Sequence, residues 1–123
     1  MWLFLPNGFL SVVAHRETPE VLLCRARVKG DLERLLPPRP VFTTPDADYL
    51  YRCFVDRSAL AETIAYHANA IDYEKFKPSV VDKRRYRAYL EIWDTMAELQ
   101  DRLAAKPPPQ GTFRRVNGKL VMA

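Results

Sequence analysis

The stretch "VLLCRARVKGDLERLLPP" (residues 21–38) contains the basic unit of the fold, a strand followed by a short helix. Residues 21–28 alternate between two faces, of which one is apolar and the other carries two arginines, as in a strand of a sheet. Asp31 is a good N-cap for a helix, and Pro37 and Pro38 cannot continue one. The stretch therefore predicts a strand over 21–28 and a short helix after residue 31.

The same unit occurs a second time in the chain. The segment "CRARVKGDL" (24–32) aligns with "YRCFVDRSA" (51–59), where the strand predicted over "DYLYRCFV" (48–55) also leads into a helix. Each segment follows another strand-like run, "FLSVVAHR" (9–16) in the first case and "VFTT" (41–44) in the second. Two ββα units predict an α+β fold. We expect a four-stranded antiparallel sheet with helices on one face. This is a permuted ferredoxin-like fold, in which the last strand of the βαββαβ order has moved to the front.

A long third helix is predicted over residues 80–105, because Ser79 and Asp82 form a capping-box pattern before it. Its apolar side chains make one broad face, which comprises Tyr86, Tyr89, Leu90, Trp93, Met96, Ala97 and Leu103. A helix with so large an apolar face must cover another surface. The sheet and a partner protomer are the two candidates.

The last eighteen residues differ in composition from the rest of the chain. The segment "KPPPQG" (106–111) predicts a proline-rich linker, and Asn117-Gly118 predicts a hairpin turn between two short β-prone runs. We therefore expect a single α+β domain over residues 1–105, followed by a linker and a hairpin-like tail over residues 106–123.

Composition excludes several classes of protein. A chain of 123 residues, 48% hydrophobic and 28% charged, has the size and composition of one soluble domain. No run approaches the roughly 20 apolar residues of a membrane helix, and the apolar start lacks a signal peptide's basic region. We therefore expect a cytoplasmic protein with no membrane contact. The spacing of Cys24 and Cys53 is typical neither of a metal site nor of a redox-active pair, so we predict that both are buried thiols. We therefore expect neither a metal nor a cofactor.

The net charge of +4 comes from one part of the chain. Residues 1–79 carry ten basic and ten acidic side chains, whereas residues 80–123 carry nine basic and five acidic ones. A nucleic-acid-binding domain usually has a basic face on its body. The charge pattern therefore makes a general nucleic-acid-binding role the alternative rather than the main hypothesis.

Candidate contact residues fall on the sheet, the third helix and the tail. On the strands, Arg25, Arg27 and Arg52 share a face with Phe54, which suits phosphate contact and base stacking. The other interpretation, which the large apolar area of the helix over 80–105 favours, is that this helix covers the face and its acidic residues pair with the arginines. The basic patch "KRRYR" (83–87) and the tail add further cations, namely Lys83, Arg84, Arg85, Arg87, Arg114 and Arg115.

The segment "AIDYEKFKPSV" (70–80) allows three interpretations: a structural lock after the second helix, a binding pocket or a catalytic site. The residues concerned are Asp72, Tyr73, Lys75, Phe76 and Lys77. Tyr73 and Phe76 have the spacing to fill the junction between the second and third helices. Such a lock requires no ligand, and it is the interpretation that the spacing favours.

Residues for catalysis are scattered. His15 and His67 have no Cys, His or carboxylate at metal spacing, and no nucleophile elbow or phosphate loop is present. Asp46 and Asp48 lie near Tyr49 and Arg52, where two carboxylates could act as acid and base. Asp in a proline-containing turn more often bonds its own backbone. We therefore predict no catalytic residues, and a small nuclease-like enzyme is the third hypothesis.

In their order along the chain, five segments resemble a family of small uncharacterised bacterial and phage proteins. They are "MWLFLPNGFLSVVAHR", "LLCRARVKGDLE", "TPDADYLYRCFV", "IDYEKFK" and "YLEIWDTMAELQ". The resemblance covers about residues 1–100, and it implies a shared fold without a mechanism. Lys75 departs from the asparagine of the family pattern, which would alter any ligand contact at that position.

Together these features predict a non-catalytic interaction protein. It would bind a protein partner through the third helix, the basic patch and the tail, as a phage or mobile-element accessory that acts on a host complex. RNA or DNA binding through the arginines of the sheet and helix is the alternative. The sequence leaves the oligomeric state open, and a homodimer is one of the outcomes considered.

Overall fold

The computed structural model of the chain describes residues 1–105 and 113–122. The chain divides into two compact units, Met1–Arg85 and Tyr86–Ala123. The first unit is an α+β domain with an antiparallel sheet, as the sequence predicts. The second unit holds most of a long helix and a separate two-stranded hairpin. The predicted boundary after residue 105 stays a prediction.

The sheet of the first unit has five strands in the order β1-β2-β3-β5-β4, and every neighbouring pair is antiparallel. Their bounds are β1 Trp2–Leu5, β2 Gly8–Ala14, β3 Val21–Ala26, β4 Phe42–Thr43 and β5 Tyr51–Asp56. The prediction of four strands is therefore corrected to five, and the permuted ferredoxin-like order is not confirmed. The additional strand is β1, whose short turn at residues 6–7 lets it pair with β2 at the edge of the sheet.

One face of the sheet forms the hydrophobic core. Leu10, Val12, Cys24 and Val55 point from β2, β3 and β5 into this core. Two helices supply the other side, α1 (Asp31–Leu35) and α2 (Arg57–Asn69). The buried helical residues in the core are Leu32, Leu35 and Leu60. Burying each such leucine contributes about 1.5–3 kcal/mol, so this layer is the main source of the unit's stability.

Gly8 lies where the start of β2 passes close to helix α1. A β-carbon at this position would collide with the side chain of Leu35 and would approach Asp31 to 3.3 Å. The backbone of β2 can therefore approach α1 closely only because residue 8 has no side chain. The next residue, Phe9, uses this approach to donate its backbone N–H to Asp31 Oδ2, at 3.1 Å.

Two further helices follow, α3 (Phe76–Ser79) and α4 (Lys83–Ala105). The long helix starts three residues later than the predicted residue 80, because Val80 is extended and Ser79 bonds back to Phe76 within α3. Asp82 is the residue that caps α4, since its Oδ1 accepts the backbone N–H of Arg85 at 2.9 Å. Within the described ranges, no helix is long and apolar enough to cross a membrane.

The predicted tail hairpin is present in the second unit. Strands β6 (Phe113–Val116) and β7 (Lys119–Met122) pair antiparallel, with Val116 opposite Lys119. Asn117 has φ 52° and Gly118 has φ 79°, the left-handed values that a two-residue turn of this kind requires. The predicted linker over residues 106–111 lies outside the described residues.

Candidate functional site

The face of the sheet that points away from α1 and α2, called here the second face, brings the predicted strand arginines together. Arg25 in β3 and Arg52 in β5 are directly opposite each other, and Phe42 in β4 is opposite Arg52. Arg27 follows β3 on the same side. We call Arg25, Arg27 and Arg52 the arginine cluster. Of the three, Arg27 is exposed, whereas Arg25 and Arg52 are half buried.

Tyr49 is the centre of the arginine cluster. It lies in the loop before β5 and is only 3% exposed. The guanidinium carbons of Arg25 and Arg27 lie 4.6 Å and 4.1 Å from the centre of its ring, within cation–π distance. Arg52 Nε donates to the carbonyl of Tyr49 at 3.3 Å. All three arginines therefore contact one buried tyrosine.

Asp48 supplies the carboxylate of the cluster. Its Oδ1 accepts the backbone N–H of Tyr49 at 2.9 Å and faces Arg52 at 3.4 Å, and its carbonyl accepts Arg27 at 2.9 Å. This is the turn geometry that the sequence favours for Asp48. Among the described residues, no hydrogen bond or ion pair joins Asp46 to this cluster, and no group of three or more His, Cys, Asp or Glu side chains could hold a metal ion.

Three rings continue the second face beside Arg52. Phe54 lies two residues along β5, and its ring centre is 5.6 Å from that of Phe42 and 5.1 Å from that of His15. Phe42 is 41% exposed and Phe54 is 45% exposed. We call Phe42, Phe54 and His15 the ring cluster. Two backbone N–H groups, those of Glu17 and Thr18, donate to His15 Nδ1 at 3.0 Å and hold the imidazole in place.

Asp31 forms a second charged centre on the other side of the first unit. Its side chain is 1% exposed and accepts the guanidiniums of Arg34 and Arg85, the latter at 2.7 Å and 3.1 Å. A buried carboxylate needs such partners, because burial of an unpaired charge is costly. Arg85 therefore connects the first turn of α4 to helix α1.

An open groove of about 560 Å³ borders the Asp31 centre. Lys29, Arg34 and Arg85 line it with positive charge, and Val28 and Val81 line it with apolar surface. Both arginines already bind Asp31, and Asp82 adds a further carboxylate to the lining. The groove is therefore close to electrically balanced, with three cations and two carboxylates among Asp31 and its lining residues.

The four cations of the basic patch over residues 83–87 do not form one exposed surface. Lys83, Arg84 and Arg87 are exposed, whereas Arg85 points to the buried Asp31. The backbone N–H of Arg85, together with the nearby Arg84, also holds the pKa of Asp82 below its ordinary value of 3.8. Arg114 and Arg115 lie in β6, and their side chains are outside the described part of the chain.

The segment over residues 72–77 contains a pair of aromatic rings. Tyr73 and Phe76 meet edge to face with their ring centres 5.8 Å apart, and both are half buried. Asp72 and Lys75 are exposed. Lys77, which is half buried, starts the last turn of the short helix α3. The ring pair is compatible with the structural lock, and the pocket stays a prediction.

The two cysteines face each other across β3 and β5, and both are buried, as the sequence suggests. The neighbouring Cys53 thiol and burial together raise the pKa of Cys24 far above its ordinary range. His67 is tied to the core through a 3.0 Å contact between its Nε2 and the carbonyl of Leu35. We assign structural roles to the cysteine pair and to the contact between His67 and Leu35.

The outer part of α4 exposes an apolar stripe. From residue 91 to residue 104 every side chain is exposed except that of Ala97, which is half buried. Within this stretch Ile92, Met96, Leu99 and Leu103 are spaced by four, three and four residues and are 39% to 64% exposed. That spacing places them along one side of the helix. We call these four residues the α4 stripe.

The charges of the outer helix lie on its opposite side. Glu91, Asp94, Glu98 and Asp101 are separated by three or four residues, so that they line up with one another at roughly half a turn from the stripe. Arg102 lies beside them and faces Glu98 at 3.7 Å. The outer helix is therefore clearly amphipathic, with an apolar side that is not buried.

Sequence reasoning missed two key residues of these sites, Tyr49 as the platform for the arginines and Asp31 as a buried ion-pair centre. The alternation of Arg25 and Arg27 indicates a shared face but not what lies under it. A carboxylate just before Leu32 suggests a cap, and nothing nearby in the sequence points to Arg85, 54 residues away.

Comparison with known proteins gives no relative. A scan against family models, a search of curated proteins and a search of solved structures each found no significant match to this chain.

Proposed function

We propose that this protein is a non-catalytic interaction protein that binds a protein partner through the α4 stripe. The observation that carries the proposal is the exposure of Ile92, Met96, Leu99 and Leu103 along one side of a helix whose charges lie on the other. Soluble helices normally bury such a stripe against another surface. Contiguous exposed apolar surface of this kind marks interaction sites.

The spacing of the stripe indicates what the partner surface looks like. Residues four, three and four apart on a helix insert into a groove or pack against a second helix. The carboxylates lie on the far side of α4, so they stay in water when the stripe is covered. The partner therefore needs an apolar groove or helix face about three turns long, and it needs no matching charges.

A matched pair of substitutions tests this proposal. Leu99→Glu places a charge in the middle of the stripe, whereas Arg102→Gln changes the net charge by the same amount on the polar side. The tagged full chain with each change is purified from its own cells, and co-purifying proteins are quantified by mass spectrometry.

We expect Leu99→Glu to weaken capture of a stoichiometric partner by about 30-fold, since central interface residues contribute 2 kcal/mol or more. Arg102→Gln should retain it. Sedimentation of the purified proteins shows whether the partner is a second copy of the chain. The proposal fails if wild type is monomeric with no stoichiometric partner, or if capture is the same for both variants.

Two finer elements belong to this proposal. The order β2-β3-β5-β4, with a helix after β3 and another after β5, supports a permuted ferredoxin-like origin for the sheet. The role of a phage or mobile-element accessory that acts on a host complex is a hypothesis about the partner, and identification of the captured protein tests it.

A further inference from the structure

Within the described residues, the arginine cluster on the second face contains three guanidiniums and one ion pair, between Arg52 and Asp48. Arg25 and Arg52 are directly opposite on neighbouring strands, an arrangement that is unfavourable for like charges. Arg27 adds a third guanidinium over the same tyrosine. Among the described residues, the carboxylate of Asp48 pairs with Arg52 alone of the three, and its side chain is 63% exposed, which weakens its effect. An added anion would therefore lower the electrostatic energy of this cluster.

The arginines also have hydrogen-bond donors to spare. A guanidinium carries five N–H groups. Among the described residues, Arg25 donates to Ser11 Oγ at 2.8 Å, and its Nε is buried without an acceptor. Arg27 donates to the carbonyl of Asp48. Stacking on Tyr49 holds these groups in fixed positions, so that an anion would meet donors that are already oriented.

The ring cluster adjoins the arginine cluster. Phe42 is opposite Arg52 in the sheet, and Phe54 is two residues from Arg52 on the same side of β5. Both rings are more than 40% exposed, and the ring centre of Phe54 lies 5.6 Å from that of Phe42 and 5.1 Å from that of His15. Exposed aromatic rings beside guanidiniums are the combination that binds unpaired bases and the phosphates between them.

We propose that the second face binds single-stranded nucleic acid, with bases stacked on Phe54 and Phe42 and phosphates held by Arg27 and Arg52. A single strand is favoured over a duplex, because the bases of a duplex stack on one another and cannot reach rings on a sheet. The site lies wholly within the unit Met1–Arg85 and does not depend on the α4 stripe.

Fluorescence anisotropy with a labelled single-stranded oligo-uridine and oligo-thymidine tests this proposal, using the full chain at about 50 mM salt, where phosphate contacts are strong. Phe54→Ala is compared with Tyr66→Ala, which removes a 68% exposed ring from helix α2. Arg27→Gln is compared with Arg39→Gln, an exposed arginine that bonds the neighbouring Pro38 carbonyl. Thermal melts confirm that each variant is folded.

We expect Phe54→Ala to weaken binding about tenfold, given 1–3 kcal/mol per stacked base, while Tyr66→Ala has no effect. Arg27→Gln should reduce the slope of log affinity against log salt by about 0.7, the value for one phosphate on a single strand. The proposal is overturned if neither oligonucleotide binds, if a duplex of the same length binds equally well, or if inorganic phosphate at equal phosphate concentration displaces the strand.

Discussion

For two residues, contacts with residues that are distant in the sequence determine the role of the side chain. Asp31 has the sequence of a helix cap, yet it is fully buried and holds two guanidiniums and the backbone N–H of Phe9. Tyr49 lies in a proline-containing loop, yet it is the platform under two arginines. Neither role follows from local pattern alone, because Arg85 for Asp31, and Arg25 and Arg27 for Tyr49, are distant in the sequence and approach only when the domain has folded.

Replacement of the buried carboxylate should therefore be costly. In Asp31→Asn the guanidiniums of Arg34 and Arg85 lose the negative charge that both contact, so we expect a loss of about 3–5 kcal/mol in the free energy of unfolding. Glu98→Gln is the control, because its pair with Arg102 is exposed and contributes about 0–1 kcal/mol. Urea denaturation measures both. Equal small effects of the two changes would show that the Asp31 centre does not stabilise the fold.

At the level of elements, periodicity predicted the type of most segments and failed at their ends. The strands β2 and β3 and the hairpin turn at Asn117-Gly118 follow directly from alternation and turn residues. Strand β5 begins at Tyr51 rather than residue 48, because Thr44 bonds the carbonyl of Leu50 and closes the loop that carries Tyr49. Such closure depends on three-dimensional contacts, which a single sequence does not show.

The start of α4 provides a prediction about pH. The folded pKa of Asp82 is lowered by the hydrogen bond from the Arg85 backbone and by Arg84. A carboxyl whose folded pKa is depressed stabilises the fold above the unfolded value of about 3.8, and this contribution is lost as pH falls through the folded pKa.

We therefore expect NMR titration of the Asp82 carboxyl to give a midpoint below 3.8, with faster amide exchange at Arg85 once the carboxyl is protonated. In the Asp82→Ala variant, the amide of Arg85 should exchange fast at every pH. A midpoint at or above 3.8 would mean that Asp82 does not cap α4 in solution.

At the scale of the whole molecule, the hydrophobic core and the proposed protein-binding stripe belong to different parts of the chain. The hydrophobic core is made of residues from the unit Met1–Arg85, and the exposed stripe belongs to the outer part of α4. A two-stranded hairpin such as β6–β7 is marginal by itself. Within the described residues its sheet contains two strands, and we expect this strand pair to add to a partner or to a second protomer.

Deletion of residues 107–123 should therefore leave the melting temperature within a few degrees of wild type, since the buried members of the described core lie between Leu10 and Leu60. We expect partner capture to weaken, because the tail contributes a strand pair and three cations, Arg114, Arg115 and Lys119. Calorimetry and the capture assay measure the two effects. Outright unfolding of the truncated chain would show that the tail is an integral part of the domain.

The central claim is that the apolar side of α4 binds a protein partner, and a photo-cross-linking scan along this helix tests it most directly. A benzophenone amino acid replaces, one at a time, Ile92, Met96, Leu99 and Leu103 on the stripe, and Asp94, Glu98 and Asp101 on the polar side. The account predicts that one partner cross-links from all four stripe positions and from none of the three polar ones. Cross-links with no such periodicity, or none from the stripe, would contradict it.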